Sequence, residues 1–462
     1  MSGDQFRTLN PTTGELVKTF PFATHDEVGA ALDQAHDVFQ KDWRRRPIAD
    51  RARQMAKVAQ LMRERAEDLA QLSTMEMGMP IDLARLEVAL AIQILEHYAN
   101  RGEEFLKPFR VPEHPGSVIM SEPIGVLLAI LPWNFPWYFA ARVMGPQIVA
   151  GNVVVLKHAP SVPQCALALD RLFKDSGFPA GVYTALFADI PQINRVIDDF
   201  RIRGVTVTGS VATGAAVAER AGRHLKKVVL ELGGSDAGIV LEDASLPETI
   251  REATIGRVVN AGQSCACTKR LIVVGQERGQ QVLQAMTQAM SGLTIGDPSQ
   301  TGTMMGPVFA ERSLTKLLEQ IDVAKAHGAK VVLGGKRMER PGFFLEPTII
   351  TDITPQNPIY DDEIFGPVLS YYVVDTEQEA IELANATQFG LGAVIFTTDT
   401  KHAEELASQL DCGMVFINSF YHSEPELPWG GVKNSGFGRE LGGQLGISEF
   451  VNKKLVRLAG NQ

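Results

Sequence analysis

The sequence has little cysteine, no excess of basic charge and no recognisable targeting segment. Only four cysteines occur in 462 residues; these are too few for a disulfide framework, so we expect free thiols in a reducing, cytoplasmic compartment. The start, MSGDQFRTLNPTTGE, has neither an apolar core nor a basic amphipathic pattern, and no export signal is predicted. A formal net charge of −10 disfavours nucleic acid and anionic lipid as partners.

One apolar stretch has nearly the length of a membrane span. Residues 123–141 carry no charged side chain, but Pro132, Asn134 and Pro136 lie near their centre. Prolines and an amide at that depth argue against a spanning helix. We predict a strand that leads into a structured loop, and we expect no membrane partner.

Hydrophobic periodicity predicts an α/β protein with a helical start. Apolar residues recur at helical spacing from Asp26 to about Phe105, which indicates consecutive amphipathic helices. Short β-branched runs then alternate with helical segments, as in a parallel sheet covered by helices. A second alternation of this kind follows Gly233 and Gly234. The predicted strands include 126–131, 153–156, 205–208, 228–230, 271–274, 330–333 and 394–397, and the later predicted helices include 377–386 and 402–410.

The stretch GVTVTGSVATGAAVAERAG is a candidate phosphate-binding turn. It places Gly209 and Ser210 directly after a strand and Gly214 in the first turn of a helix. Backbone N–H groups and a helix N-terminus can approach a pyrophosphate there. A plain strand-to-helix turn with Ser210 as its N-cap explains the stretch equally well. The three-glycine dinucleotide fingerprint is absent.

Seven short motifs occur in order along nearly the whole chain. They are PWNFP (132–136), GNVVVLKHAP (151–160), TGSVATG (208–214), LELGG (230–234), GQSC (262–265), EIFGPV (363–368) and PWGGVKNSGFGRE (428–440). Together they resemble the aldehyde dehydrogenase superfamily. The resemblance implies a Rossmann-type cofactor domain (1–105 and 124–232), an α/β catalytic domain (233–446) and a small β oligomerisation arm (106–123 and 447–462). It also implies a homodimer or homotetramer, with a hairpin near 102–123 and a strand over 448–459 that pairs with a neighbouring subunit.

The resemblance implies three catalytic residues. Cys265 is the nucleophile, whose thiolate attacks an aldehyde carbon to form a thiohemiacetal and later a thioester. Asn134 donates to the oxyanion together with the backbone N–H of Cys265. Glu231 is the general base that activates the hydrolytic water and helps to deprotonate the thiol. Without the resemblance, a buried packing cysteine, a turn-capping asparagine and a salt-bridged core glutamate would be the ordinary interpretations.

The resemblance further implies an NAD or NADP site. Lys157 would contact the adenosine ribose, Glu363 the nicotinamide ribose, and Phe365 would pack near the nicotinamide. NAD-preferring members often carry a glutamate three residues after the lysine, where this chain has Pro160, so we predict that NADP⁺ is accepted. The full set of predicted cofactor contacts is Trp133, Lys157, Gly209, Ser210, Gly214, Leu232, Glu363 and Phe365.

Arg142 indicates which class of aldehyde is the substrate. It lies eight residues after Asn134 and matches an arginine with which succinate semialdehyde dehydrogenases hold the distal carboxylate of the substrate. A structural ion pair is the alternative. The predicted reaction is oxidation of succinate semialdehyde to succinate, with a broad-specificity or other aliphatic aldehyde dehydrogenase as a second interpretation. Acyl transfer to coenzyme A and a non-catalytic relative of the fold are further alternatives, which the presence of Glu231 and Cys265 disfavours.

Cys265 and Cys267 lie one residue apart in VVNAGQSCACTKR. Zinc needs four ligands and wider cysteine spacing, and no histidine lies within 30 residues of Cys265, so no metal is predicted. A cysteine hydrolase would not require the nucleotide-binding half. Three interpretations of Cys267 stay open: a packing residue, a redox switch that forms a reversible disulfide with Cys265, or a minor influence on its thiolate.

Overall fold

The computed structural model describes residues 5–458. The predicted domain limits at residues 1 and 462, and the end of the predicted strand at residue 459, lie outside the described residues. The α-helices of the described part are α1 (His25–Lys41), α2 (Ile48–Glu64), α3 (Ala66–Met77), α4 (Ile81–Phe105), α5 (Pro136–Ala150), α6 (Pro163–Asp175), α7 (Ile190–Asp198), α8 (Val211–Arg223), α9 (Leu246–Val258), α10 (Gln276–Ser291), α11 (Glu311–Ala326), α12 (Glu377–Asn385), α13 (Thr400–Ala407) and α14 (Gln444–Ser448).

The strands group into two large, mainly parallel sheets and smaller antiparallel ones. Their bounds are β1 (Phe6–Asn10), β2 (Glu15–Phe20), β3 (Phe109–Arg110), β4 (Ser117–Pro123), β5 (Val126–Ile130), β6 (Val153–Lys157), β7 (Tyr183–Ala185), β8 (Ile202–Thr208), β9 (Lys227–Glu231), β10 (Ala237–Val240), β11 (Arg270–Val274), β12 (Lys330–Leu333), β13 (Thr348–Thr351), β14 (Val368–Val374), β15 (Phe389–Gly390), β16 (Gly392–Phe396), β17 (Met414–Ile417), β18 (Val432–Lys433), β19 (Gly436–Phe437) and β20 (Val451–Arg457).

The six-stranded sheet has the order β19-β9-β8-β5-β6-β7. All its neighbours are parallel except β19, which returns from the C-terminal part of the chain and runs antiparallel to β9. Its central strands read as continuous apolar runs because helices cover both faces of such a sheet. The carboxyl ends of β5, β8 and β9 lie at one edge, where open α/β sheets bind their ligands.

The seven-stranded sheet has the order β12-β13-β14-β11-β10-β16-β17. Only the edge strand β12 is antiparallel to its neighbour. The predicted α/β class is therefore confirmed, and each predicted strand overlaps an observed one. The division into domains stays a prediction.

Helix α5 was not predicted, although the strand and loop before it were. The sequence predicts a strand and then a loop over 123–141. β5 and the turn before Pro136 confirm the strand and the start of the loop, but residues 136–141 are helical and belong to α5. Pro136 then occupies the first turn of α5, where its missing N–H is harmless, and every residue of α5 is buried. A helix that is buried on all sides shows no amphipathic period, so the sequence carries no signal for it.

The small β arm consists of β20, β4 and β3, in that order. The predicted hairpin near 102–123 begins later than expected, because Gly102–Phe105 belong to α4. β20 pairs antiparallel with β4 of the same chain, from Val451 opposite Pro123 to Arg457 opposite Ser117. Contact with a neighbouring subunit stays a prediction. None of the helices within residues 5–458 is long and apolar enough to cross a membrane.

Candidate active site

A cavity of about 320 Å³ lies at the carboxyl edge of the six-stranded sheet. Both the nucleophile motif and the cofactor motifs reach it. The predicted residues that line it are Trp133, Asn134, Gly209, Ser210, Leu232, Cys265, Glu363 and Phe365, and Pro132, Phe139, Thr208, Gly233, Lys316 and Asp362 complete the lining. The topology therefore brings together segments that are far apart in the sequence.

An unusual backbone turn brings Cys265 to the cavity. Asn260, Ala261 and Gly262 are consecutive left-handed residues, with φ of 52°, 55° and 71°. Such conformations cost about 1–3 kcal/mol for residues with a Cβ and persist only where the surroundings enforce them. A Cβ on Gly262 would lie 2.2 Å from the carbonyl oxygen of Gly366, so glycine is required there. The turn follows α9 and redirects the chain toward the cavity.

Asn134 is tied to this turn by two hydrogen bonds. Its Nδ2 donates to the carbonyl of Gln263 at 3.0 Å, and Nδ2 of Asn260 donates to the carbonyl of Asn134 at 2.9 Å. A side-chain amide carries two N–H donors, so holding one of them fixes the direction of the other. The amide is buried and lines the cavity beside Cys265, which suits an oxyanion donor.

Glu231 ends β9 and shares a buried cation with Glu440. Arg142 donates to Oε2 of Glu231 at 3.1 Å and also pairs with Glu440, and its side chain has 0% exposed surface. The guanidinium lies 4.7 Å from the ring centroid of Tyr138 and 4.8 Å from that of Phe139. Burial raises the pKa of Glu440; Arg142 opposes this shift, and the negative charge of Glu231 adds to it. Two carboxylates thus compete for one guanidinium.

The thiol of Cys265 faces the same carboxylate. Burial raises the pKa of Cys265 well above its usual range, and the nearby negative charge of Glu231 raises it further. Arg142 and Lys269 act in the opposite direction. The thiol is therefore protonated at neutral pH, next to a carboxylate that can accept its proton.

Glu363 is held in place from behind the cavity. Its Oε1 accepts the N–H of Gly234 at 3.1 Å and the ammonium of Lys269 at 3.1 Å. A Cβ on Gly233 would lie 2.3 Å from Oε2 of Glu363, so the glycine makes room for the carboxylate. A carboxylate can accept hydrogen bonds from two neighbouring hydroxyl groups of a ligand.

Aromatic rings and a helix N-terminus form the rest of the wall. Trp133 stacks on Phe309, with centroids 3.6 Å apart, and meets Phe365 edge-on at 6.0 Å. Ser210 caps α8 by accepting the N–H of Thr213 at 3.3 Å, as predicted. A helix N-terminus, a carboxylate for ribose hydroxyls and a flat apolar wall fit a nicotinamide dinucleotide.

Comparison with known proteins agrees with this geometry. The aldehyde dehydrogenase family model matches residues 1–456. The chain belongs to the aldehyde dehydrogenase family. A relative from Deinococcus radiodurans, named succinate-semialdehyde dehydrogenase with NADP(+) in its name, is 47% identical over 453 residues, which are 98% of this chain and 94% of the relative.

Two further comparisons give the same picture. A relative from Escherichia coli, named succinate semialdehyde dehydrogenase with NAD(P)+ in its name, is 42% identical over 455 residues, 97% of each chain. The crystal structure of succinic semialdehyde dehydrogenase from Streptococcus pyogenes in complex with NADP⁺ superposes with a TM-score of 0.96 at 39% identity, and the match covers 98% of this chain and 100% of that chain. The aldehyde dehydrogenase fold is thus shared along nearly the whole of the described chain.

The structure shows the ion pair that was the alternative interpretation of Arg142. Its side chain is fully buried and binds two carboxylates of its own chain, while its Nε has no hydrogen-bond partner among the described residues. Contact between Arg142 and the substrate of this aldehyde dehydrogenase stays a prediction. Glu440 ends the motif PWGGVKNSGFGRE, but nothing in the sequence pairs it with α5.

Two predicted cofactor residues lie where other contacts explain them. A Cβ on Gly214 would approach the Leu232 side chain to 2.5 Å, so this glycine lets α8 pack closely against Leu232. Lys157 ends β6, and its ammonium lies 5.9 Å from the centroid of the Phe6 ring. Their contacts with a cofactor stay predictions.

Cys267 is fully buried, and its Sγ donates to the carbonyl of Ser264 at 3.2 Å. All four cysteines are free. Burial agrees with the packing interpretation, and the redox switch stays a prediction. The sequence analysis missed Lys269 and Lys316; Lys316 lies on the exposed side of α11, where a lysine is the ordinary surface residue and carries no signal.

Glu231→Gln should separate base catalysis from thiol reactivity. We expect turnover to fall by about 10²–10⁴, because the base that takes the thiol proton and activates water is lost. Alkylation of Cys265 by iodoacetamide at neutral pH should become faster, because removing the negative charge lowers the pKa of the thiol and enlarges the thiolate fraction. Glu404→Gln on the exposed face of α13 is the control. A parallel fall in both rates would contradict this electrostatic account.

Arg142→Met should reveal whether Arg142 contacts substrate or positions Glu231. Removing the cation leaves two buried carboxylates unpaired, which costs about 3–5 kcal/mol of unfolding free energy, and kcat should fall equally for succinate semialdehyde and butanal. Thermal unfolding and steady-state kinetics measure the two effects, with Arg171→Met on α6 as the exposed control. A rise in KM confined to succinate semialdehyde would instead support the predicted contact between Arg142 and the substrate.

Proposed function

We propose that this aldehyde dehydrogenase oxidises a small aldehyde with a distal carboxylate, succinate semialdehyde first among them, and that NADP⁺ or NAD⁺ accepts the hydride. The observation that carries the proposal is that Cys265 and Asn134 share one cavity with a wall that fits a dinucleotide, while the buried Glu231 acts on the Cys265 thiol. The names of the relatives that are 47% and 42% identical over nearly the full length support the substrate class.

The first chemical step belongs to Cys265. Its thiol passes a proton to Glu231, and the thiolate attacks the aldehyde carbon, which forms a thiohemiacetal. The developing oxyanion accepts the N–H of Asn134 and, by the family resemblance, the backbone N–H of Cys265. Asn134 is hydrogen-bonded to the turn that carries the nucleophile, so the positions of both donors relative to the thiol are fixed. Losing such a donor typically costs about 10²–10³ in rate.

The second half of the reaction belongs to Glu231. A bound nicotinamide supplies the hydride acceptor. Glu231 first passes the thiol proton on to solvent. Once the carbon is oxidised, the acyl group is a thioester on Cys265, and the freed carboxylate of Glu231 takes a proton from the water that hydrolyses it. Arg142 holds the carboxylate for this second task through its 3.1 Å contact. Release of the acid restores the thiol.

The cofactor preference rests on an absent charge. Pro160 stands where an acidic side chain would accept from the 2′-hydroxyl of NAD and repel a 2′-phosphate. Without that repulsion NADP⁺ is accepted. The relative from Streptococcus pyogenes with NADP⁺ bound supports this direction.

We propose in addition a homodimer or homotetramer in the cytoplasm. The arm strand β20 is an edge strand of the small sheet, and Leu455 is 61% exposed on it. An exposed edge strand with an apolar residue favours pairing with another chain. The four free thiols suit a reducing compartment.

A substrate and cofactor screen tests the proposed reaction. Succinate semialdehyde, glutarate semialdehyde and butanal are compared with NADP⁺ and NAD⁺, with and without coenzyme A. We expect kcat/KM for succinate semialdehyde to exceed that for butanal about tenfold or more, the size of one hydrogen bond to a charged group, with no need for coenzyme A. Equal values for butanal would support a general aliphatic aldehyde dehydrogenase, and strong NAD⁺ preference would contradict the argument from Pro160.

A further inference from the structure

Lys269 joins the nucleophile to the acid at the cofactor site. Its ammonium donates to the carbonyl oxygen of Cys265 at 2.5 Å and to Oε1 of Glu363 at 3.1 Å. The side chain is 2% exposed. One buried cation therefore links the main chain that carries the thiol to the carboxylate predicted to hold the nicotinamide ribose.

Burying a lysine is costly unless its charge is compensated. Burial lowers the pKa of Lys269, but the neighbouring Cys267, Glu363 and Asp236 more than offset this effect, so the pKa is raised overall, against the opposing charge of Arg257. The side chain is thus an ammonium ion at neutral pH. Its charge also lowers the pKa of the Cys265 thiol.

The backbone of Lys269 is anchored in the scaffold. Lys269 immediately precedes β11, which lies inside the seven-stranded sheet. Its N–H donates to the carbonyl of Asp236 at 3.1 Å, and its carbonyl accepts the N–H of Ser370 at 3.0 Å. The ammonium therefore projects from a residue whose backbone is hydrogen-bonded at the start of β11, whereas Cys265 and Glu363 both lie on loops.

We propose that Lys269 is a positioning residue that fixes the position of the Cys265 thiolate relative to the Glu363 carboxylate. This inference rests on the proposed function, since it takes Glu363 to bind the ribose of the cofactor. By engaging Oε1, Lys269 leaves Oε2 of Glu363 directed to the side where Gly233 provides space. By engaging the Cys265 carbonyl, it fixes the peptide from which the thiol projects.

A merely structural ion pair would stabilise the fold without affecting these two groups. The test therefore uses two readouts that need no turnover. One is the Kd for NADP⁺ without aldehyde, measured by quenching of intrinsic fluorescence, to which Trp133 in the cavity wall contributes. The other is the pH profile of Cys265 alkylation by iodoacetamide without cofactor.

Lys269→Met should change both readouts. We expect Kd for NADP⁺ to rise about tenfold, the usual effect of losing a hydrogen bond to a charged group, and the alkylation profile to move to higher pH because a neighbouring positive charge is lost. Lys269→Arg retains charge and donors and should restore most of the affinity and the parent profile. Lys330→Met, which removes an exposed surface ion pair with Asp352, is the matched control.

Unchanged affinity and an unchanged pH profile, with only a lower unfolding temperature, would overturn the proposal. A shift in alkylation alone would also overturn it, since Lys269 would then act on the thiolate and not on the cofactor acid. If Lys269→Met does not fold, failure of Lys269→Arg to retain parent values of both readouts decides against it. A parent protein that binds neither NADP⁺ nor NAD⁺ contradicts the proposed function itself, which is a different result from NADP⁺ binding that is insensitive to Lys269.

Discussion

The rest of the proposed active site depends on the ion pairs that the buried guanidinium of Arg142 forms with Glu231 and Glu440. Glu231 ends a strand of the six-stranded sheet, Glu440 lies just beyond β19, which pairs with that strand, and Arg142 projects from the fully buried α5. The guanidinium therefore links three parts of the chain that are far apart in the sequence. An unpaired carboxylate is costly to bury, so Arg142 stabilises Glu231 near the thiol, and Glu440 shares the same guanidinium.

A second buried cation, Lys269, forms a comparable ion pair at the proposed cofactor site. Lys269 pairs with Glu363 as Arg142 pairs with Glu231. Arg142 lies on α5, and Lys269 immediately precedes β11. Both cations act on the thiol of Cys265, the proposed nucleophile. Its pKa is raised by burial and by Glu231 and lowered by both cations. The reactivity of Cys265 is therefore a balance of opposed charges, which the approach of substrate and cofactor can shift.

Much of the fold and site could be predicted from the sequence, for identifiable reasons. Buried parallel strands are recognisable in the sequence as β-branched runs. The motifs around Cys265, Asn134 and Glu231 are rare enough that together they identify the family. Helix α5 could not be predicted, because a helix buried on every side has no amphipathic period. The ion-pair partners of Arg142 and the contacts of Lys269 depend on long-range pairing across two sheets. The left-handed turn includes Asn260 and Ala261, which are not glycines. Local patterns do not encode such contacts.

The central claim is that Cys265, and not Cys267, carries the acyl group until water activated by Glu231 removes it. The most direct measurement is mass spectrometry of Glu231→Gln enzyme, quenched in acid after incubation with succinate semialdehyde and NADP⁺. Trypsin releases residues 258–269 as one peptide that contains both cysteines, and fragmentation assigns the adduct. A succinyl thioester on Cys265 is predicted. An adduct on Cys267, or none on this peptide while reduced cofactor is formed, would contradict the claim.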